Sequence, residues 1–340
     1  MRVVDPRARS GRLQVNGISK RRSTIVAALA VATATALTVT ACGDTGTPPG
    51  EGNVTTTTTK IANAYLVAPE RNFDNACGAP STPDSGQSDV ARIAVTDPAL
   101  LDAVCALGIQ SKVVAVAAER GSIARNLGPS VLSLPTIGTN PSPAAARAAD
   151  ADVVLGYDAS RATAFGGRAV TIDRNLGWRE QFAAVADGLG RGETGQRRLD
   201  TFAEQARRAG LRVDASHSQV GLVRFGENSE TIEGTGSFAG TILSAMGVQR
   251  PATQRGAGAI TVNDDNFTDA DADLIYVSFR TKAAQEHGSS VMRSDRWLDM
   301  GAPGYSRVLV VDDDIWYGTG GLAAAAVVLG DATRSLNSSS

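Results

Sequence analysis

The sequence predicts an α/β protein of two lobes joined by one long helix. Three observations carry this. Short β-branched runs alternate with helical patterns from about residue 91 to 157. The stretch from Trp178 to Ala209 then reads as nearly continuous helix, and the strand–helix rhythm returns from Gln219 onward. Alternation of this kind builds largely parallel sheets with helices on their faces.

In the first lobe, Arg92-Ile-Ala-Val95 reads as a strand. Asp97-Pro98 opens a helix, with Asp as N-cap and Pro in the first turn. Leu100, Leu101, Val104, Cys105 and Leu107 give that helix its apolar spacing, and Gly108 stops it. Val113–Ala117 is the next strand, Pro141-Ser-Pro143 starts another helix, and Val153-Val-Leu155 is a third strand. Trp178, Phe182, Val185, Leu189, Leu199, Phe202 and Ala206 lie along the connecting helix, interrupted at Gly188-Leu-Gly190. In the second lobe the expected strands are Gln219–Phe225, part of Ala270–Phe279, and Arg307–Val311. The expected helices are Phe238–Met246 and an Ala-rich terminal helix from Leu322 to Leu336.

The start of the chain does not read as part of this fold. Arg2, Arg7, Arg9, Arg12, Lys20, Arg21 and Arg22 face one acid, Asp5, and Ile25 to Ala41 carries no charge. A basic segment followed by a short apolar one reads as an export signal. Val39-Thr40-Ala41 before Cys42 resembles the lipobox of bacterial lipoproteins. That resemblance implies cleavage after Ala41, lipidation of Cys42 by acyl chains such as palmitate, and a place on the outer, extracytoplasmic or periplasmic face of the cell membrane. Residues 42–60, rich in Gly, Pro and Thr, read as a flexible linker. The expected organisation is a signal at 1–41, linker 42–60, N-terminal lobe 61–175, linker helix 176–210 and C-terminal lobe 211–340.

Removing residues 1–41 takes away seven of the 33 Lys and Arg and one of the 35 Asp and Glu, leaving a net charge of −8. A surface of that sign argues against nucleic acid as a partner. Cys77 and Cys105 are the other two of the three cysteines. In an oxidising compartment such a pair is expected to bridge. A metal site would need more ligands than two distant thiols.

The apparent enzyme signals are weak. Gly236-Ser-Phe-Ala-Gly240 lacks the spacing of a nucleophile elbow. The two histidines, His217 and His287, both fall in polar stretches. Gly318-Thr-Gly-Gly-Leu-Ala323 begins seven residues after its strand and reads as a helix entry, not a dinucleotide fingerprint. The acidic stretch from Asn263 to Asp273 lacks the Gly and terminal Glu of a calcium loop. The chain is expected to be a non-enzyme with no intrinsic cofactor and no protein-bound metal.

Five segments together resemble the extracytoplasmic substrate-binding proteins of iron–siderophore, haem and cobalamin importers, the mycobacterial FecB-like lipoproteins among them. They are "RIAVTDPALLDAVCALGIQSKVVAVA", "PTIGTNPSPAAARAADADVVLGY", "QFAAVADGLGRGETGQRRLDTFAEQARR", "VGLVRFGENSETIEGTGSFAGTILSAMGVQRP" and "GYSRVLVVDDDIWYGTGG". The resemblance implies a class III periplasmic-binding-protein-like fold, with two Rossmann-like lobes, a stiff linker helix and a shallow cleft between. It implies a monomer that captures a ferric siderophore, or alternatively haem, and serves an ABC permease. Such importers dock through one acidic residue on each lobe. Asp158 fits on the first lobe, and no clear counterpart follows Met246. An envelope adaptor that keeps the fold without transport is the further alternative.

Ferric chelates present oxygens, and the planar fork of Arg donates to oxygens in pairs. Arg224, at a strand end where the resemblance places a ligand-facing Arg, and Arg280, after the next strand, are the cationic candidates. Trp316 and Tyr317 follow Asp312-Asp-Asp314 in a Gly-flanked loop, and adjacent large aromatics there suggest that one lines the cleft. Phe238 and Tyr157 complete the expected set.

Overall fold

The computed structural model describes residues 59–318 and 320–338. The expected signal, the lipidation site Cys42 and the linker up to residue 58 lie outside the described residues. The chain enters through two short antiparallel strands, β1 (Lys60–Ile61) and β2 (Ala64–Leu66). Strand β3 (Ile93–Val95) leads to helix α1 (Leu101–Ala106). Between them the Asp97 carboxylate accepts from the Ala99 N–H, and Pro98 needs no such partner. Strands β4 (Val113–Val116), β5 (Val153–Gly156) and β6 (Arg168–Thr171) follow. These four strands form a parallel sheet in the order β4-β3-β5-β6.

Helices α2 (Trp178–Gly188) and α3 (Gly192–Arg212) come next. The second lobe contains β7 (Val220–Phe225), β8 (Glu230–Ile232), α4 (Phe238–Ala245), β9 (Ile260–Thr261), β10 (Leu274–Phe279) and β11 (Val308–Val310). It closes with α5 (Asp313–Tyr317) and α6 (Leu322–Ser338). Its sheet has the order β1-β2-β11-β10-β7-β8-β9. The central strands β2, β11, β10 and β7 run parallel, and the outer pairings are antiparallel.

Two expected boundaries move. Residues 60–66 join the sheet of the second lobe and not the first, because Tyr65 and Leu66 pair with Leu309 and Val310 on β11. The stretch 176–210 is two helices. Gly190 adopts φ +70°, the left-handed conformation that ends a helix, so α2 stops there and the 21-residue α3 follows as a separate helix before the second lobe.

One apolar core runs through both lobes. It joins Val95 and Leu155 of the first sheet, through α1, α2, α3 and α6, to Leu222 and Tyr276 of the second. Polar contacts reinforce this junction. Asp102 of α1 is buried and accepts from the N–H groups of Ala323 and Ala324, each at 2.9 Å. It therefore caps α6 from the opposite lobe and complements the positive end of its dipole. The Trp178 Nε1 donates to Thr241 Oγ1 at 3.1 Å, again between lobes. Cys77 and Cys105 form a disulfide that ties the entering chain to α1.

Candidate functional site

The carboxyl ends of the parallel strands carry the chemistry, as the switch-point rule for α/β sheets leads one to expect. Arg224, near the end of β7, donates from Nε and Nη2 to the two carboxylate oxygens of Asp313, both at 2.7 Å. Ser278, its register partner on β10, donates to the same carboxylate at 2.8 Å. The Arg224 guanidinium lies 4.9 Å from the centre of the Tyr317 ring. The hydrogen bonds that Arg224 donates to Asp313 raise its pKa and fix its charge. Arg280 follows β10 and meets Glu233 at 3.9 Å.

The first lobe repeats the arrangement. Tyr157 directly follows β5, and the Arg174 guanidinium sits 4.0 Å from its ring centre. Arg174 is held in turn by Asp97, two residues beyond β3, at 2.7 Å. The Tyr157 hydroxyl donates to Gln181 Oε1 at 2.9 Å. Burial and then the Asp97 charge push its pKa up. Each lobe thus presents an Arg stacked on a Tyr and bonded to an Asp, in a geometry that favours cation–π attraction. Arg125 of the first lobe also pairs with Asp312 of the second.

A family model described as "Periplasmic binding protein" matches residues 130–314, more than half of the 340-residue chain. The chain belongs to the periplasmic binding protein family. Among curated proteins of this kind, it is 26% identical over 169 residues to the probable siderophore-binding lipoprotein YfiY of Bacillus subtilis. That alignment covers 45% of this chain and 51% of YfiY. It is 29% identical over 104 residues to the achromobactin-binding periplasmic protein of Dickeya dadantii, covering 29% of this chain and 34% of that protein. The chain therefore spans about half the length of the first relative and a third of the second. Unliganded FhuD2 of Staphylococcus aureus superposes with a TM-score of 0.63 at 17% identity, covering 77% of this chain and 98% of that one. SirA of the same organism, complexed with staphyloferrin B, gives 0.59 at 17% identity over 74% and 94%. At these identities the likeness establishes the two-lobe, class III binding-protein fold.

Within this family fold, the expected residues separate. Arg224, Tyr317 and Arg280 come together around Asp313 and Glu233. Tyr157 stands on the other lobe. Phe238 is partly buried at the junction, its ring edge-on to Trp178 at 5.7 Å. Gly320 lies against it at φ +54°, where a Cβ would come 3.1 Å from the Phe238 ring.

Trp316 is not a cleft residue. It is fully buried at 0% exposure, donates from Nε1 to Asp331 at 3.1 Å, and packs 4.7 Å from the Tyr276 ring centre. The reason is helical geometry. Consecutive residues of α5 point about 100° apart, so Trp316 enters the core while Tyr317 turns toward Arg224.

Arg174, Asp97, Asp313 and Glu233 escape sequence reasoning as site residues. Asp97 was legible as a helix cap, which it is. Its second role depends on Arg174, a lone Arg beyond β6 with no pattern around it.

Proposed function

We propose that the protein is a non-enzymatic, lipid-anchored binding protein on the outer face of the cell membrane, which captures a ferric siderophore and presents it to an ABC permease. The observation that carries this is the matched Arg–Tyr–Asp group at the strand ends of both lobes, in a family whose curated relatives include siderophore-binding and achromobactin-binding proteins. Arg224, Arg280 and Arg174 offer N–H groups to chelate oxygens, and Tyr157, Tyr317 and Phe238 offer ring surface. The anchor rests on Cys42 and the lipobox. The net charge of −8 over residues 42–340 leaves nucleic acid out. The protein works as a monomer, and iron arrives as cargo inside its chelate.

Haem fits less well. The Tyr157 hydroxyl is engaged by Gln181 and the Tyr317 hydroxyl is enclosed, so neither stands ready as an axial ligand. Motion between the lobes is small in this reading, because α3, α6 and a shared core connect them.

The test is an equilibrium titration of the chain from Gly43 onward with ferric siderophores, their iron-free forms, haem and cobalamin. Saturable one-to-one binding of one ferric siderophore class supports the reading. Preference for haem replaces the cargo. Silence across the panel from folded protein points to an adaptor that kept the fold.

A further inference from the structure

Helices α3 and α6 leave a groove open between them. Two cavities of about 790 and 550 Å³ lie in it, and they share Gln205 and Ala326, so they form one continuous channel. Its floor is apolar, with Phe202 and Ala209 from α3 and Leu322, Ala326, Leu329 and Gly330 from α6. Leu211 stands at one end, 70% exposed. None of the arginines and tyrosines of the cleft lines this groove.

The sequence of α3 sets the charge of the rim. Arg198, Thr201, Gln205, Arg208 and Arg212 recur at alternating spacings of three and four, so they share one helix face. That face borders the groove, and Arg334 of α6 borders it as well. No Asp or Glu lines either cavity, although residues 42–340 carry a net charge of −8. The acids nearby do not cancel the rim. Glu204 serves Arg207 and Arg208 together, and Asp331 serves Arg71 and Arg334, so each cluster keeps a positive charge. Arg198 donates to the neutral Ala79 carbonyl, and Arg212 has no ion pair among the described residues.

We propose that the α3–α6 groove is a docking surface for an acidic amphipathic helix of a partner protein. In helix-in-groove recognition, apolar side chains at i, i+3, i+4 and i+7 settle on a floor of this kind. The small residues Ala209, Ala326 and Gly330 let a third helix come close. The charge pattern selects this occupant. Arg198 and Arg212 lie four turns apart on α3, roughly 21 Å at 1.5 Å per residue. An anionic lipid molecule carries its charge at one end and leaves the far arginine unmatched. A flat membrane surface does not reach the recessed floor. A second copy of the chain sets arginine against arginine through this face, and the basic segment 1–41 is repelled likewise. A helix with acids along its length meets both ends of the rim and the floor between. This surface goes beyond cargo capture, because it uses no residue of the cleft.

The test is a selection from displayed helical peptides of about 20 residues, long enough to hold a helix. Leu and Ala are fixed along one face, and Asp, Glu, Lys and Gln are randomised elsewhere. The bait is the chain from Gly43 onward, which keeps every described residue. It is used as wild type, as Arg208→Gln/Arg212→Gln, and as the control Arg197→Gln/Arg207→Gln. The control removes the same charge from exposed positions of α3 outside the groove. Melting temperatures verify that both variants are folded, and vesicles of phosphatidylglycerol and phosphatidylcholine are titrated alongside. The enriched peptides are expected to be more acidic than the input, with acids toward both ends. They are expected to bind wild type and control alike, more weakly in high salt, and Arg208→Gln/Arg212→Gln at least tenfold more weakly. No enrichment, enrichment without acids, or equal affinity for wild type and Arg208→Gln/Arg212→Gln overturns the proposal. Equal loss in both variants also overturns it. So does vesicle binding that depends on Arg208 and Arg212 without any selected peptide, which makes the groove a lipid surface instead.

Discussion

Arg224 and Asp313 meet edge to edge, Nε to Oδ1 and Nη2 to Oδ2, both at 2.7 Å, although 89 residues separate them. This pair fastens the start of α5 to the end of β7 and sets the ring of Tyr317 beneath the guanidinium. Arg224→Ala leaves Asp313 with Ser278 alone. The pair is partly exposed, so the expected loss of stability is about 1–3 kcal/mol, below the range for fully buried pairs. Chelate affinity is expected to fall at least tenfold. Denaturant unfolding and titration measure the two effects. A variant with wild-type affinity would remove Arg224 from the site.

Trp316 gives the opposite pattern. Trp316→Ala opens a cavity beside Tyr276 and leaves the buried Asp331 without its indole donor. The expected cost is roughly 3–5 kcal/mol of stability. At temperatures where the variant stays folded, ligand affinity is expected to hold within about threefold. A large affinity loss in fully folded protein would return Trp316 to the cleft.

Asp102 makes stability depend on pH. Burial raises its pKa from 3.8 to about 6, against the two backbone N–H groups that lower it. A raised carboxyl pKa means that the folded state holds the proton more tightly. Its contribution is therefore complete below about pH 4 and is lost as pH rises through about 6. At about 1.4 kcal/mol per unit, the loss reaches at most roughly 3 kcal/mol. Asp102→Asn removes this titration. The difference in unfolding free energy between wild type and variant, followed from pH 4 to 7, is expected to slope against wild type as pH rises. A flat difference curve contradicts the assignment.

The junction between α3 and α4 has no room for a methyl group. A Cβ at Gly210 would overlap the backbone carbonyl of Met246. Gly210→Ala gains about 1 kcal/mol in helix propensity and is nevertheless expected to destabilise the protein by about 1–3 kcal/mol. Thermal unfolding of the variant reads the sign directly.

Most of the lobe architecture was legible because the strands that matter are apolar runs followed by capped helices. Asp97-Pro98 and Gly108 bound the first helix segment in the sequence as in the structure. The β1–β2 hairpin was not legible. Ala64–Leu66 carries no β-branched run, and its partner on β11 lies more than 240 residues away. The site was legible in part. Arg224 stands out as a charge inside an apolar strand, and Arg280 follows the next one. Choosing between Trp316 and Tyr317 required the rotation of a five-residue helix, which composition does not encode.

The most direct measurement is iron anomalous diffraction from crystals grown with the ferric chelate that binds best. The account predicts one iron site between the lobes, with Arg224 and Tyr317 on one side and Tyr157 and Arg174 on the other. Iron bound elsewhere on the surface, with the cleft unoccupied at saturating chelate, would contradict it.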